Sequence, residues 1–302
     1  PTARRAAGRT SGSHGVSELD LSVIVPCHDE EDTLGAQLDA LLAQDWDGSW
    51  EVIVVDNRST DRTAALAASY AGRDVPVRVI SAADGRGVAY ARNAGVRAST
   101  ASAVAFCDGD DVVAPGWTAA MGDALHRHEL VVGTLDPDLL NEPWLSASRP
   151  MGGARDLPRF GGTPFARGNN CGMQRTLWER LDGYREDFDG LEDIELSLRA
   201  AATGAEAVLV PDAVVAYRFR PGIRALWRQG VFYGRGRPAL YRQSVRLGLT
   251  PPSRWAGLRS WGWLVLRLPT LVSRRGRAAW TWTLANRWGV LRGAVEHRVL
   301  FV

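Results

Sequence analysis

Ala103-Val104-Ala105-Phe106-Cys107-Asp108-Gly109-Asp110-Asp111 joins an uninterrupted apolar run to three carboxylates. A short apolar run closed by turn formers reads as a buried strand. The acids then lie at the carboxyl edge of a sheet, where open α/β sheets bind their ligands. Carboxylates this close resist joint ionisation unless a cation sits among them. A hard divalent ion such as Mg²⁺ or Mn²⁺ suits oxygen donors and bridges to a diphosphate. Asp110 and Asp108 are its candidate ligands. An isolated motif of this kind is as often a solvated acidic turn, so the rest of the chain has to decide.

Upstream, residues 21–25 and 50–55 read as strands, ended by Pro26 and by Asp56-Asn57-Arg58-Ser59-Thr60. Residues 75–80 read as a third strand and 103–107 as the fourth. Leu34, Leu38, Leu41 and Leu42 recur at helical spacing within 30–43, and 86–98 also reads as a helix. Ser59 or Thr60 caps a further helix that carries Asp61 in its first turn. This alternation predicts a mainly parallel sheet with helices on both faces. Right-handed crossovers then bring residues 26–30, 56–59 and 108–111 to one edge.

Beyond residue 112 the alternation weakens. Residues 115–127 read as a helix and 130–134 as a short strand. Residues 136–167, rich in Pro, Gly and Arg, show no clear period, and such stretches are usually functional or mobile. Gly168-Asn169-Asn170-Cys171-Gly172-Met173 precedes a helix at 175–181. Gly190-Leu191-Glu192-Asp193 opens another that runs to about residue 202, and two short strands follow at 207–210 and 213–217.

The chain of 302 residues, 45% hydrophobic and 23% charged, is long enough for one large domain with an appendage. Cys27, Cys107 and Cys171 lack CxxC spacing, which argues against a disulfide framework or a zinc site and favours a reducing, cytoplasmic setting. Residues 1–17 have no apolar core and do not read as a signal peptide, so 1–19 is expected to be a disordered lead-in. The net charge of +2 conceals a division: residues 221–302 carry fifteen Arg and one acid, giving +14, against −12 elsewhere. Seven of the twelve Trp share that tail. The expected organisation is therefore 20–220 (halves 20–111 and 112–220), followed by a basic helical region at 221–302.

Five stretches in order resemble the family 2 glycosyltransferases, whose GT-A fold is a Rossmann-like α/β sheet that binds nucleotide-diphosphate sugars. They are Ser22-Val-Ile-Val-Pro26 with Glu30; Val54-Val-Asp56-Asn57-Arg58-Ser59-Thr60-Asp61; Gly87 with Ala91-Arg92-Asn93-Ala94-Gly95; Asp108-Gly109-Asp110; and Gly190-Leu191-Glu192-Asp193. Tyr233-Gly234-Arg235-Gly236-Arg237 also resembles bacterial membrane-associated members that build exopolysaccharide or cell-envelope glycans. The resemblance implies an inverting transfer from a nucleotide sugar, UDP-linked by preference, to a glycan or lipid-linked hydroxyl, assisted by Mn²⁺ or Mg²⁺ on Asp110 and Asp108. It implies that Pro26, His28 and Glu30 line the nucleotide pocket and that Asp56 bonds base or ribose. Asn57, Ser59, Arg86, Arg92, Asn93 and Gly109 complete that donor set. Asp193 is the expected base, since an inverting displacement needs a carboxylate opposite the leaving group, with Glu192 positioning the acceptor or sharing the role. Gly168, Asn169 and Asn170 are expected on the acceptor side. Many relatives place a metal-binding His after the last short strand; here Tyr217 and Arg218 stand there, so a third ligand is water or absent.

A Rossmann oxidoreductase is excluded, because Gly85-Arg86-Gly87 does not follow the first strand. A nucleotidyltransferase of similar fold stays the alternative, although such proteins usually show a basic Gly-rich loop where Pro26-Cys27-His28-Asp29-Glu30 is acidic. A silent carbohydrate- or membrane-binding scaffold would not need Asp108, Asp110 and Asp193 together. Nucleic acid is not an expected partner, since the acidic region repels it. Arg with Trp and Leu across 221–302 fits helices lying on an anionic membrane surface, at the inner face of the plasma membrane. The competing reading is a helix pair packed on the catalytic domain with Arg outward.

Overall fold

The computed structural model describes residues 19–149, 156–188 and 190–301. The expected lead-in lies outside them up to residue 18; its last residue, Leu19, is tied down, its carbonyl accepting the Ser102 N–H at 2.9 Å. Strands β1 (Leu21–Cys27), β2 (Trp50–Asp56) and β3 (Val77–Ser81) alternate with helices α1 (Leu34–Leu42) and α2 (Thr63–Ala68). Helix α3 (Val88–Ala98) leads into β4 (Ala103–Cys107), and β5 (Val112–Val113) follows the acidic turn. Next come α4 (Trp117–Leu125), β6 (Leu130–Asp136), the short α5 (Pro143–Ser146) and a hairpin of β7 (Arg159–Phe160) and β8 (Thr163–Pro164). Then follow β9 (Asn170–Gln174), α6 (Arg175–Arg180), α7 (Glu192–Ala202) and β10 (Val208–Ala216). The tail holds α8 (Ile223–Arg246), α9 (Ala256–Leu266) and α10 (Arg274–Glu296), with a 3₁₀ turn at Leu268–Val272.

The main sheet runs β3-β2-β1-β4-β9-β6-β10-β5. β1 lies parallel between β2 and β4, with Cys27 beside Asp56 and Ile24 beside Phe106. The carboxyl ends of these three strands therefore share one edge, as their alternation with helices predicts. One face packs Leu34, Leu38 and Leu41 of α1 and Trp117 and Met121 of α4 against Val23 and Val52. The other face packs Val96 of α3, Leu177 of α6 and Leu196 of α7 against Ile24 and Phe106. With both faces covered, the strands can be apolar throughout, and β1 and β4 are buried along their whole length.

Two elements differ from expectation. Residues 170–174 form a central strand, β9, antiparallel to both β4 and β6. The two short strands expected at 207–217 are one, β10, whose register against β6 slips between Val210 and Val214 around Pro211. Proline removes a ladder donor, which accounts for the interruption without ending the strand.

The tail is packed onto the sheet region. Leu226 of α8 and Ala278 of α10 join Leu145 and Phe219 in one cluster, and Leu240 joins Phe160, Leu191 and Leu198 in another. Residue 220 thus marks a change of composition, not a break in packing. Helices α8 and α10 touch through glycines: a Cβ on Gly234 would sit 2.2 Å from the Asn286 carbonyl oxygen, and one on Gly289 2.2 Å from that of Val231. Among the described residues no helix is long and apolar enough to cross a membrane.

Candidate active site

A cleft of about 880 Å³ opens at the carboxyl edge of the sheet. Its lining includes Pro26 near the end of β1, His28 and Glu30 after it, Asn57 after β2, Arg86 on the loop before α3, and Arg92 within α3. Asp108, Asp110, Gly168, Asn169, Glu192 and Asp193 face the same space. Elements separated by more than a hundred residues are thus brought together by the sheet edge that the strand order creates.

The acidic turn is graded by burial. Asp108, Asp110 and Asp111 each place a carboxylate oxygen within 4.8 Å of the others, with Asp111 the buried member. Asp111 anchors the surroundings: it accepts the Asn169 side-chain amide at 3.0 Å and the Arg218 N–H at 2.8 Å. Burial, with Asp108 and Asp110 adding repulsion, holds its carboxyl well above the ordinary range. Asp110 is pushed up to about 6 by burial and by Asp108, while Arg220 and Arg218 pull the other way. Glu30 is pushed up to about 8 by burial and then by Asp110 and Asp108. A Cβ on Gly109 would lie 2.1 Å from Glu30 Oε2, so a larger residue there would push the Glu30 carboxylate out of place. An all-oxygen donor set whose joint ionisation is disfavoured without a counter-charge fits a hard divalent cation.

The start of α7 lines the same cleft and is tied to the turn through Arg92. Buried Arg92, 3% exposed, donates to Glu192 Oε1 at 2.7 Å and to Asp108 Oδ1 at 3.1 Å. Burial alone would lower this guanidinium, but Asp108 and Glu192 together hold it above its ordinary range. Glu192 is pushed up to about 7 by burial, with Arg92 opposing and Asp193 reinforcing. Asp193 is half-buried and accepts the Gly168 N–H at 2.9 Å and the Ile194 N–H at 2.7 Å. Burial raises its carboxyl against those two hydrogen bonds and the pull of Arg92. One carboxylate is therefore locked on a cation while its neighbour is presented to the cleft by backbone donors.

Not every expected residue is a wall residue. Asn93 is buried and accepts the Tyr184 N–H at 2.9 Å while donating to the Tyr184 carbonyl at 2.8 Å, so it shapes the fold beneath α3. Asn170 is fully buried, accepting Trp117 Nε1–H and donating to the carbonyls of Thr134 and Ala213, which removes it from the acceptor side. Asp56 and Ser59 are not among the lining residues; Asp56 takes the Ser59 N–H at 3.3 Å. Asn57 mostly ties the next loop in place, donating to Ala82 and Gly85 and accepting the Gly87 N–H. His28 faces the cleft with Nδ1 2.9 Å from the Asn57 carbonyl oxygen.

Arg220, Phe232 and Tyr233 were not among the site residues expected from the sequence, yet they line the cleft. Arg220 lines the cleft, and Arg218 Nε donates to the Asp110 carbonyl at 2.8 Å, so two guanidiniums flank the acids where Tyr217 stands. Phe232 and Tyr233 of α8 also line the cleft. Gly190 makes room for that contact: it has φ +82°, and a Cβ there would meet the Phe232 ring at 2.0 Å.

A mainly parallel sheet with an acidic turn facing a cleft at its carboxyl edge is the architecture of GT-A glycosyltransferases. The solved mannosyltransferase PcManGT from Pyrobaculum calidifontis, in complex with GDP-Man and Mn²⁺, has the same fold. Its TM-score is 0.68 over 93% of this chain and 88% of its own, at 21% identity. Residues 22–181 match the family model Glycosyl transferase family 2, and the chain belongs to that family. The succinoglycan biosynthesis protein ExoO of Rhizobium meliloti is 31% identical over 218 residues, which is 67% of this chain and 62% of ExoO. Dodecaprenyl-phosphate galacturonate synthase of Rhizobium johnstonii is 32% identical over 118 residues, 38% of this chain and 35% of that protein. The chain thus spans between about a third and three fifths of the length of these curated relatives.

Proposed function

We propose that this protein transfers a sugar, with inversion, from a nucleotide-diphosphate sugar to a hydroxyl of a lipid-linked or glycan acceptor. The observation that carries the reading is that Asp193, presented by the Gly168 and Ile194 N–H groups, and the Asp108–Asp110 turn line one cleft. As the acceptor hydroxyl attacks the anomeric carbon, Asp193 takes its proton. Arg92 keeps Glu192 occupied and orients Asp108, so Glu192 is a positioning residue. Asp108 and Asp110 would hold Mn²⁺ or Mg²⁺, which supplies positive charge to the departing diphosphate. Arg220, and Arg86 on the loop before α3, add fixed positive charge to the donor side.

The setting in this reading is the inner face of the plasma membrane. The three thiols are free and buried, as suits a reducing compartment. Around α9 and the turn after it, Trp255, Leu258, Leu266 and Val272 are exposed beside Arg254, Arg259, Arg267, Arg274 and Arg275. Apolar groups among arginines suit an anionic bilayer surface. Dodecaprenyl-phosphate galacturonate synthase supports the lipid-linked side of the acceptor reading by its name. A thermal-shift screen of nucleotide sugars with Mn²⁺, followed by detection of released nucleoside diphosphate, tests the proposal; UDP-sugars are expected to respond, GDP-sugars next. No stabilisation and no release with any nucleotide sugar overturns it.

A further inference from the structure

A second cavity of about 410 Å³ adjoins the donor cleft. Leu191, Ile194, Phe165 and Tyr233 line both, so the two spaces meet beside Asp193. Besides Arg159, whose guanidinium donates to the Gly162 carbonyl at 2.7 Å, two guanidiniums line the second cavity, Arg237 from α8 and Arg287 from α10. Among the described residues neither is in an ion pair, and the tail's own acid, Glu296, is taken by Arg235. Among the described residues Arg237 donates to no protein acceptor, and the side-chain bond of Arg287 goes to its neighbour Asn286 at 2.9 Å. Burial pushes Arg237 below its ordinary range, and burial together with Arg237 pushes Arg287 down to about 10. Two cations held near each other without an anion work against folding, and packing alone gives no reason for them. Ser260 adds a hydroxyl donor to the same walls, whereas the Thr283 hydroxyl donates to the Ala279 carbonyl at 2.9 Å.

We propose that this cavity binds the phosphate or diphosphate of a lipid-borne acceptor, with Arg237 and Arg287 as its ligands. The inference rests on the reading of the adjoining cleft as a sugar-transfer site. Guanidiniums recognise phosphate through paired, charge-assisted hydrogen bonds. Leu191 and Ile194 flank Asp193, so a phosphate held here presents the sugar it carries toward the base. The lipid assignment follows from Ser260, which belongs to α9. That helix exposes Leu258, Val265 and Leu266, and a hydrocarbon chain leaving the cavity along it meets apolar surface instead of water.

Farnesyl diphosphate, inorganic diphosphate and farnesol, each titrated into the full chain without donor, test the proposal by calorimetry. Farnesyl diphosphate is expected to bind, with farnesol silent and inorganic diphosphate weaker. Arg237→Gln and Arg287→Gln should each weaken binding by about tenfold or more, the scale of a lost bond to a charged group, while Lys at either site recovers part of it. Both Gln variants should melt at or above the wild-type temperature, because a repulsion is removed, and should keep UDP–Mn²⁺ binding. Unchanged affinity in the Gln variants, or displacement of farnesyl diphosphate by UDP, overturns the site; equal affinity for inorganic diphosphate overturns the lipid source. No step of the titration requires turnover. A protein that releases nucleotide yet fails the titration loses this inference alone, and one that passes it without releasing nucleotide loses the transfer reading.

Discussion

Asp193 and Glu192 are adjacent in sequence and opposite in circumstance. Glu192 is held on Arg92, whereas Asp193 receives two backbone donors and faces the cleft. Asp193→Asn is expected to keep donor affinity and lower kcat by roughly 10²-fold or more, the usual scale for a general base. A kcat near wild type in steady-state assays would move the role elsewhere. Because burial raises this carboxyl, the acid limb of kcat should lie above the ordinary aspartate range, with activity lost as pH falls through it. Arg92 carries a separate expectation. Lysine keeps the charge but has no fork to reach Glu192 and Asp108 together, so Arg92→Lys should lower both donor affinity and melting temperature. Wild-type values for both would show that the bridge is idle. At this scale the acids and the expected base were legible in the sequence, and the hold of Arg92 on Glu192 was not. Asn93 and Asn170 stand inside or beside the matched stretches, yet each spends its amide on buried backbone groups. A polar side chain that completes a fold has the same letter as one that holds a ligand; burial alone separates them.

Elements β1 to β4 were readable because their apolar runs end in turn residues and alternate with helical spacing. β9 was not, since Asn170-Cys171-Gly172-Met173-Gln174 has no β-branched residue and opens on Asn. It is a strand because the gap between β4 and β6 supplies partners on both sides, a tertiary effect that outweighs weak local preference. The contact between α8 and α10 was equally hidden. Gly234, Gly289 and Gly293 let the two backbones approach, with added Cβ atoms meeting carbonyl oxygens at 2.1–2.2 Å. Gly234→Val is therefore expected to destabilise the protein by about 1–3 kcal/mol or more, since backbone cannot yield as a side chain does. Urea melts measure it, and a change within a few tenths of a kcal/mol would contradict the close packing. Arg149 strengthens the same region, its guanidinium lying between the rings of Phe219 at 3.9 Å and Trp282 at 4.3 Å.

Across the whole molecule, raised carboxyls set how stability follows pH. Glu30, near 8, and Glu192, near 7, hold protons in the folded state that the unfolded chain releases above ordinary glutamate values. The folded state then binds more protons, so stability falls as pH rises from about 4.5 to 8. Melting temperatures in EDTA should drop across that window, and Mn²⁺ should recover much of the loss at pH 8 by binding the folded form. A flat profile, or one that Mn²⁺ leaves unmoved while Asp110→Ala matches wild type, would remove the metal from the account. The tail's charge predicts flotation of the full chain with anionic liposomes at low salt, weakening as salt rises. Leu266 and Val272, 81% and 87% exposed, give the specific test: Leu266→Glu with Val272→Glu should abolish flotation without lowering the melting temperature. Flotation unaffected by that pair would detach the apolar face from the membrane. The tail's composition was legible as a distinct region, but its contacts with Leu145, Phe160 and Leu191 were not, because they involve residues far apart in sequence.

Those contacts give the order of synthesis a chemical meaning. The last strand of the sheet ends at Ala216, while Phe232 and Tyr233, which wall the cleft, ride on a helix braced by residues as late as Gly293. A nascent chain can therefore assemble its sheet on the ribosome while part of the cleft wall is still in the exit tunnel. Ribosome-arrested chains stopped before α10 has emerged should resist protease across the sheet yet fail to retain a nucleotide sugar. Donor capture thus becomes a late event of translation, reserved for chains that already carry the exposed apolar and arginine-rich surface around α9.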